Sequence, residues 1–421
     1  MLLRFQVSNH RSILDPVELS MIAVDEDRPA ARGFDLLSER VLTVAGIYGP
    51  NASGKSNVLD ALAWLSSAVR ESLRDWGEYI PRDPHRFSYG PTSPSAFEVD
   101  FVAEGVRHTY QLEVDDSTVQ YESLCSYPER RQRMLFERHY EEINFRRGLR
   151  GVRGIEDLLT PTTLALSAAS RLGVPAISAV GQAISEMNAV GIRRRSRRTV
   201  QQAIFAARDN SIDLFFEENR GGNTSDYFSV SRQAALELLN FADPGIHDIE
   251  IVYHDDDGPH GSRSLLFLRQ DENERVEINF DEESVGTQKW FHLLGPSLGA
   301  LERGQILMFD EIETSLHPRL SARIIELFQD PRTNPRSAQL IFATHNPSLL
   351  NDLNRDEVWF TEKESDHTTR LIALAEYGGD LVRKSLNLER AYLQGRFGAI
   401  PDVDHIDVRD ALEQYFQHAD G

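Results

Sequence analysis

One loop constrains this chain more than any other feature: residues 49–56 read Gly-Pro-Asn-Ala-Ser-Gly-Lys-Ser. They fit the pattern G-x-x-x-x-G-K-S/T at every fixed position. Before the loop, the apolar and β-branched run at 41–48 predicts a buried strand. After it, apolar residues recur at helical spacing, namely Val58, Leu59, Ala61, Leu62, Leu65, Ala68 and Val69. A strand, a glycine loop and a helix predict a phosphate-binding loop, because backbone N–H groups and a helix N-terminus then face one anion.

The loop also assigns roles to single residues. Lys55 is expected to reach the β- and γ-phosphates of a nucleotide, and the Ser56 hydroxyl is expected to bind Mg²⁺. Lys55 stands out because it is one of only four lysines in the chain. The candidate nucleotide-binding residues of the loop are Gly49, Pro50, Asn51, Ala52, Ser53, Gly54, Lys55, Ser56 and Asn57.

Composition limits the class of protein. With 421 residues, 40% hydrophobic and 26% charged, the chain has the composition of a globular protein with more than one lobe. It has no run of about 18 apolar residues, and its N-terminus lacks the apolar core of a signal peptide. Cys125 is the only cysteine, which excludes an internal disulfide and a zinc site built from several cysteines. A cytoplasmic protein without membrane contact is expected.

Two downstream strands end in the polar residues that a phosphate-binding loop needs. Residues 305–311 form an apolar run that closes with two acids. Asp310 is expected to bind Mg²⁺, directly or through water, and Glu311 to act as general base toward the attacking water. The next apolar run, 341–345, ends at His345, which could hydrogen-bond the γ-phosphate. Since parallel strands end at one edge of their sheet, we expect these side chains to lie near each other.

A third turn, at residues 283–288, reads Glu-Ser-Val-Gly-Thr-Gln and precedes an apolar helix. A Ser-x-Gly-x-Gln turn that opens a helix can bind an anion, so Ser284, Gly286 and Gln288 are further candidate nucleotide-binding residues. The alternative is a simple helix cap made by Ser284. The position of this turn between the loop and the Asp310 strand favours nucleotide binding.

Together these motifs resemble the ABC-type ATPases of the RecF, SMC, Rad50 and OLD group, as do the first residues, LLRFQVSNHRSI, and residues 310–318. The resemblance implies an α/β fold: an ABC-type P-loop NTPase head with a parallel core sheet, an antiparallel β subdomain and a helical insertion. We divide the chain into an N-terminal ATPase lobe (1–125), an Arg-rich, mainly helical insertion (126–225) and a C-terminal ATPase lobe (226–421). The last of these holds the signature turn at 283–288, the Walker B strand at 305–311 with Asp310 and Glu311, the histidine switch at His345, and the tail.

The same resemblance implies the ligands and the assembly. ATP and Mg²⁺ are the expected cofactors, and Lys55, Glu311 and His345 the expected catalytic residues. In such a fold the Walker motifs of one subunit face the signature of another. A homodimer or higher homo-oligomer with composite ATP sites is therefore implied.

Parts of the pattern depart from that group. Val285 and Thr287 replace the usual residues around Gly286 in the signature, and residues 313–318 differ from the usual D-loop. These departures leave open the alternative of an ATP-sensing scaffold that binds ATP but scarcely hydrolyses it. Glu311 argues against this alternative, because a pure sensor does not need a general base.

Two C-terminal segments, 355–363 and 391–401, resemble compact bacterial AAA-family ATP-binding proteins of the RloA and AbiLi kind. This resemblance implies the regulatory or sensor component of an abortive-infection or restriction-linked phage-defence system. Such a component gates a separately encoded effector, RloB-like or a nuclease.

The charge of the chain bears on nucleic acid as a partner. A net charge of −21 disfavours general binding to phosphate backbones. Nucleic-acid binding is nevertheless suggested by three Arg-rich stretches, at 130–133, 146–153 and 193–198. They either form a DNA-facing surface, as in a DNA-repair ATPase, or lie on solvated helix faces paired with acids. DNA is kept as the alternative partner and is not the favoured one.

Overall fold

The computed structural model describes residues 1–34, 37–192, 225–254, 262–270, 275–313, 316–377 and 387–397. The strands are β1 (Leu2–Ser8), β2 (Val17–Ser20), β3 (Ala31–Arg32), β4 (Val41–Leu42), β5 (Val44–Tyr48), β6 (Ser95–Ala103), β7 (Val106–Val114), β8 (Val119–Ser126), β9 (Arg133–His139), β10 (Glu142–Phe145), β11 (Asn188–Val190), β12 (Ile246–His254), β13 (Ser262–Gln270), β14 (Arg275–Asn279), β15 (Ile306–Phe309), β16 (Gln339–Ala343), β17 (Val358–Lys363) and β18 (Thr369–Ala373). The α-helices are α1 (Lys55–Asp75), α2 (Ala165–Arg171), α3 (Pro175–Ser185), α4 (Ser225–Ala242), α5 (Val285–Arg303), α6 (Pro318–Gln329) and α7 (Leu388–Leu393).

A six-stranded sheet forms the centre of the fold, with the order β11-β15-β16-β5-β17-β18. The first five strands run parallel, and β18 pairs antiparallel with β17. All five residues of β5 are buried, as expected for a strand covered on both faces. Because the strands are parallel, the carboxyl ends of β5, β15 and β16 open at the same edge. The parallel core sheet of the predicted α/β fold is confirmed.

Alternate residues of β5 contribute to two different hydrophobic cores. Ala45 and Ile47 belong to the core that also contains α1 and the inner face of a seven-stranded antiparallel sheet, with the order β10-β9-β8-β7-β6-β1-β2. Val44 and Tyr48 belong to the core shared with α5, α6 and the three-stranded sheet β12-β13-β14. The period-two pattern of the strand thus joins the two halves of the chain. The antiparallel β subdomain of the predicted fold is present.

The segment after residue 126 differs from the mainly helical insertion expected for 126–225. Strands β9 and β10 extend the antiparallel sheet, with β9 paired to β8 and β10 to β9. Leu135 and Phe136 in β9 are buried, whereas the flanking arginines are mostly exposed. The many arginines obscured the alternation of apolar and polar residues that predicts a strand. In the structure, pairing of β9 with β8 outweighs the local propensity of this segment. Helices α2 and α3 follow, and residues 193–224, including the third Arg-rich stretch, lie outside the described part.

None of the described helices combines the length and hydropathy that crossing a membrane requires.

Candidate nucleotide-binding site

The phosphate loop lies between β5 and α1 and needs its two glycines. Gly54 precedes α1 with a φ of 110°, and Gly49 has a φ of 152°. A Cβ atom on Gly49 would lie 2.5 Å from the carbonyl oxygen of Thr361, and one on Gly54 would collide with the side chain of Thr369. Only glycine fits both positions, which is the physical content of the sequence pattern.

A hairpin formed by β17 and β18 holds this loop from one side. The Ser53 and Thr361 hydroxyls lie 2.6 Å apart, and the Thr361 hydroxyl also donates to the carbonyl of Tyr48 at 3.2 Å. Thr369 donates to the carbonyl of Ser53 at 2.8 Å. Sequence reasoning missed both threonines, because they follow the loop by about 300 residues and carry no local motif. They fix the loop conformation before any ligand is bound.

Lys55 is the charged centre of the loop and is only 5% exposed. Its Nζ donates to the carbonyls of Gly49 at 2.8 Å and Pro50 at 3.0 Å, and lies 3.2 Å from Nδ1 of His345. Burial lowers the pKa of Lys55 to about 8, although nearby carboxylates led by Asp310 oppose that shift. An ammonium group held among carbonyls with little water is well placed to bind an anion.

Ser56 and Asp310 form a pair at the start of α1. The Ser56 hydroxyl donates to Oδ1 of Asp310 at 2.8 Å, and the Asp310 N–H donates to the carbonyl of Val190 in β11 at 3.0 Å. Burial raises the pKa of Asp310 above its usual value, and the hydrogen bond from Ser56 partly offsets this. A hydroxyl and a carboxylate are hard oxygen ligands of the kind that Mg²⁺ prefers.

This pair fits a metal ion that arrives with a nucleotide. Mg²⁺ usually takes one or two protein oxygens and completes its shell with water and phosphate oxygens. In the described ranges, no group of three or more His, Cys, Asp or Glu residues could hold a metal by itself. One hydroxyl and one carboxylate are a donor set that fits Mg²⁺ bound together with a nucleotide.

Glu311 and His345 lie at the ends of neighbouring parallel strands, β15 and β16. Nε2 of His345 is 4.0 Å from Oε1 of Glu311, and the Glu311 side chain is 53% exposed. Glu311 has a φ of 55°, a left-handed conformation that is unusual for a non-glycine residue. Such strain is often found where function fixes a side chain. The structure thus brings Lys55, Ser56, Asp310, Glu311 and His345 together.

Glu313 is a further residue that sequence reasoning did not assign to the site. Its carboxylate accepts hydrogen bonds from the His345 N–H and, at 2.7 Å, from the Thr344 hydroxyl. It therefore fixes the end of β16 relative to the turn after β15. A third acid within residues 310–313 was the signal available in the sequence. Thr314 and Ser315 lie outside the described part.

The turn that opens α5 forms hydrogen bonds within its own segment and not with the phosphate loop, as far as the described residues show. The Ser284 hydroxyl caps the helix by accepting from the Thr287 N–H at 3.1 Å. The Gln288 amide donates to the carbonyls of Phe280 and Glu283, both at 3.0 Å. Ser284 is exposed, and Gly286 has no side chain that could bond. Over the ranges that the structure covers, these hydrogen bonds stay within residues 280–288 and do not reach the phosphate loop.

Two solved structures align with most of this chain. One is an SMC head bound to the C-winged helix domain of ScpA, at 12% identity, with 88% of this chain and 97% of the other covered and a TM-score of 0.48. The other is an SMC head with an extended coiled coil bound to the C-terminal domain of ScpA from Pyrococcus furiosus, at 13% identity, 89% and 97% coverage, and a TM-score of 0.39. No curated protein matches the chain.

A family profile with the description "AAA domain, putative AbiEii toxin, Type IV TA system" matches residues 44–351. The matched segment includes the phosphate loop, the two acids after β15 and His345. Because it covers well over half of the chain, the chain belongs to this family of AAA-type ATPases.

Proposed function

We propose that the protein binds ATP with Mg²⁺ at the phosphate loop and hydrolyses it. The observation that carries the proposal is the pairing of Ser56 with Asp310 beside the buried Lys55, with Glu311 and His345 at the adjacent strand ends. When bound, Mg²⁺ would be held by Ser56 and Asp310 and would screen the charge of the phosphates.

Each residue then has one task. Lys55 binds the β- and γ-phosphates through its ammonium, and the backbone N–H groups of the loop surround them. Glu311 orients the attacking water and takes its proton at a carboxylate oxygen. His345 donates a hydrogen bond to the terminal phosphate, and Glu313 holds the His345 backbone in place.

The complete site further requires a second copy of the chain. Ser284, Gly286 and Gln288 open α5 at an exposed turn and make no hydrogen bond to the loop of their own chain within the described residues. In a homodimer or higher homo-oligomer they would meet the nucleotide bound by another subunit. The assembly would then form with ATP and separate after hydrolysis.

The biological role that fits best is regulation of a bacterial phage-defence system. The family description names a toxin of a type IV toxin–antitoxin system, which agrees with an abortive-infection or restriction-linked function. The resemblance of residues 355–363 to proteins of the RloA and AbiLi kind supports a separately encoded effector, RloB-like or a nuclease. The ATP-bound assembly would gate that effector.

Glu311→Gln tests the proposal. This variant should bind ATP but lose turnover by about 100-fold or more, because a general base contributes at least that factor. Light scattering should then show a dimer that persists with ATP and Mg²⁺. The matched control is Glu302→Gln, an exposed glutamate near the end of α5. Lys55→Ala should abolish ATP binding. Wild-type turnover in Glu311→Gln would refute the assigned base.

A second candidate function is supported by the Arg-rich segments that flank the hairpin of β9 and β10. Arg130, Arg131, Arg146, Arg147, Arg150 and Arg153 are exposed, and none of them forms an ion pair with another described residue. Arg146 and Arg147 directly follow strand β10, so they do not lie on a helix face as the alternative interpretation expected. Exposed arginines that cluster in the segments before β9 and after β10 suit a polyanion, so a DNA-binding ATPase is the alternative.

A further inference from the structure

We propose that the base of the bound nucleotide stacks on an exposed aromatic surface formed by Phe87, Tyr89 and His367. This inference rests on the proposed binding of ATP at the phosphate loop. The phosphate loop accounts only for the phosphates of the ligand. The aromatic surface would account for the binding of its nucleoside end.

The order of the core sheet fixes the direction in which the nucleotide extends. On one side of β5 lie β16 and then β15, whose ends carry His345, Asp310 and Glu311. On the other side lie β17 and β18. The terminal phosphate belongs on the side of the catalytic residues. The ribose and base must therefore leave the loop toward the β17–β18 hairpin.

Two segments border the loop on that side. Thr369, the first residue of β18, bonds the carbonyl of Ser53 at 2.8 Å and lies 2.7 Å from the Ser12 hydroxyl. Ser12 also accepts a hydrogen bond from Asn57, the third residue of α1. The turn between β17 and β18 and the segment around Ser12 thus frame the exit from the loop.

The aromatic surface is attached to both segments. His85 is buried. Its backbone N–H donates to Oδ1 of Asn9 at 2.9 Å, and its ring Nδ1 lies 3.0 Å from the carbonyl oxygen of Arg11. The Phe87 ring lies 5.7 Å from the His85 ring and 5.7 Å from that of His367, in the turn between β17 and β18. Phe87 is thereby positioned beside the exit from the loop.

Two rings of this surface are exposed to solvent, although hydrogen bonds and ring contacts hold the residues around them in place. Phe87 is 59% exposed and Tyr89 is 50% exposed, with the Tyr89 hydroxyl donating to Asp15 at 2.7 Å. Ser88 and His367 hold left-handed backbone conformations, with φ values of 55° and 71°. Strained backbone conformations cluster at functional sites, and an exposed aromatic ring offers a flat face on which a planar ligand can stack.

Stacking has a recognisable chemical consequence. An aromatic ring gains from any base, because every base has a π-face, and a purine offers more area than a pyrimidine. The surface should therefore favour ATP over CTP and contribute nothing to a ligand that has phosphates only.

Phe87→Ala tests this inference. Calorimetry in the presence of Mg²⁺ should show about tenfold weaker binding of ATP and a smaller preference for ATP over CTP. Binding of inorganic tripolyphosphate, which has no base, should stay as in the wild-type protein. Phe87→Trp should restore ATP binding. Phe241→Ala is the matched control, because Phe241 is similarly exposed but lies at the end of α4, over Arg323.

The outcomes separate this inference from the proposed function. If Phe87→Ala binds ATP as tightly as the wild type, stacking is refuted and the ATPase proposal stands. If ATP and tripolyphosphate weaken equally, Phe87 acts on the loop structure and stacking is refuted as well. If the wild-type chain binds neither ligand, the proposed function itself fails. Unchanged thermal unfolding of the variant excludes misfolding as the cause.

Discussion

At the scale of single residues, Lys55 shows that the site buries a charged group at an energetic cost before any ligand is bound. An ammonium group loses hydration when it is buried, which is why its pKa falls to about 8 from the ordinary 10.5. Below pH 8 the group is charged in both the folded and the unfolded chain, so the folded state carries the full cost of burial. Between pH 8 and the ordinary pKa of 10.5 the folded chain releases the proton while the unfolded chain keeps it, so the cost of burial falls progressively and is gone only above pH 10.5. A bound phosphate needs the charged form.

The affinity for ATP should therefore depend on pH. Between pH 7 and 8 the dissociation constant should change little through Lys55. Above pH 8 it should rise, approaching tenfold per pH unit, because binding must first restore the proton. Calorimetry at pH 7, 8 and 9 measures this. Lys55→Arg provides the comparison, since a guanidinium stays charged over this range and any residual binding should be flat. Equal affinity of the wild type at pH 7 and pH 9 would contradict the role of burial.

At the scale of elements, the loop and the β17–β18 hairpin form one unit. The loop supplies glycines, and the hairpin supplies Thr361 and Thr369, whose hydroxyls replace solvent around the loop backbone. The hairpin approaches so closely that a single added carbon at Gly49 would meet its backbone. The stability of the loop therefore depends on a segment about 300 residues later in the chain.

Gly49→Ala should be costly for this reason. We expect a loss of about 2–3 kcal/mol of stability, from the collision with β17 together with backbone strain. Gly105→Ala is the matched control: Gly105 also has a positive φ, of 75°, but a Cβ atom there would meet nothing within 4 Å. Thermal unfolding of both variants measures the difference. Equal shifts in the midpoint would show that strain alone, and not the hairpin, sets the cost.

Local patterns predicted much of this arrangement. The phosphate loop, α1 and β16 were all predicted from the sequence, because the loop carries a fixed glycine motif and the two elements carry helical spacing or an apolar run. The approach of Ser56 to Asp310 followed from the parallel order of strands. The threonines of the hairpin and Glu313 were not visible as site residues. Their roles arise from pairings between distant segments, which a single sequence does not encode in any short motif.

At the scale of the whole molecule, the seven-stranded sheet places positive charge at one edge of an acidic protein. Strand β10 is one of the two edge strands of this sheet, and the exposed arginines lie in the segments that precede β9 and follow β10. The sequence showed the arginines but not the sheet that presents them. That charge distribution is what separates the two candidate functions.

If the hairpin binds DNA, the double variant Arg146→Ser/Arg147→Ser should weaken binding of linear duplex DNA. The slope of log affinity against log salt should fall by up to about 2, since each lost phosphate contact removes about 0.9. Fluorescence anisotropy at several salt concentrations measures this. The charge-matched control is Arg332→Ser/Arg336→Ser, two exposed arginines beyond α6. Wild-type binding that is absent or flat with salt would exclude DNA and favour the partner-gated ATPase.

The position of β5 in the core sheet also determines when the site can exist during protein synthesis. Both neighbours of β5, β16 and β17, are translated about 300 residues after it. At about 5–20 residues per second, the ribosome takes roughly 15–60 s to supply them. During that interval the apolar strand after residue 43 has no partner and is a natural binding segment for chaperones. A nascent chain released before β17 would carry the phosphate-loop sequence without a sheet to hold it.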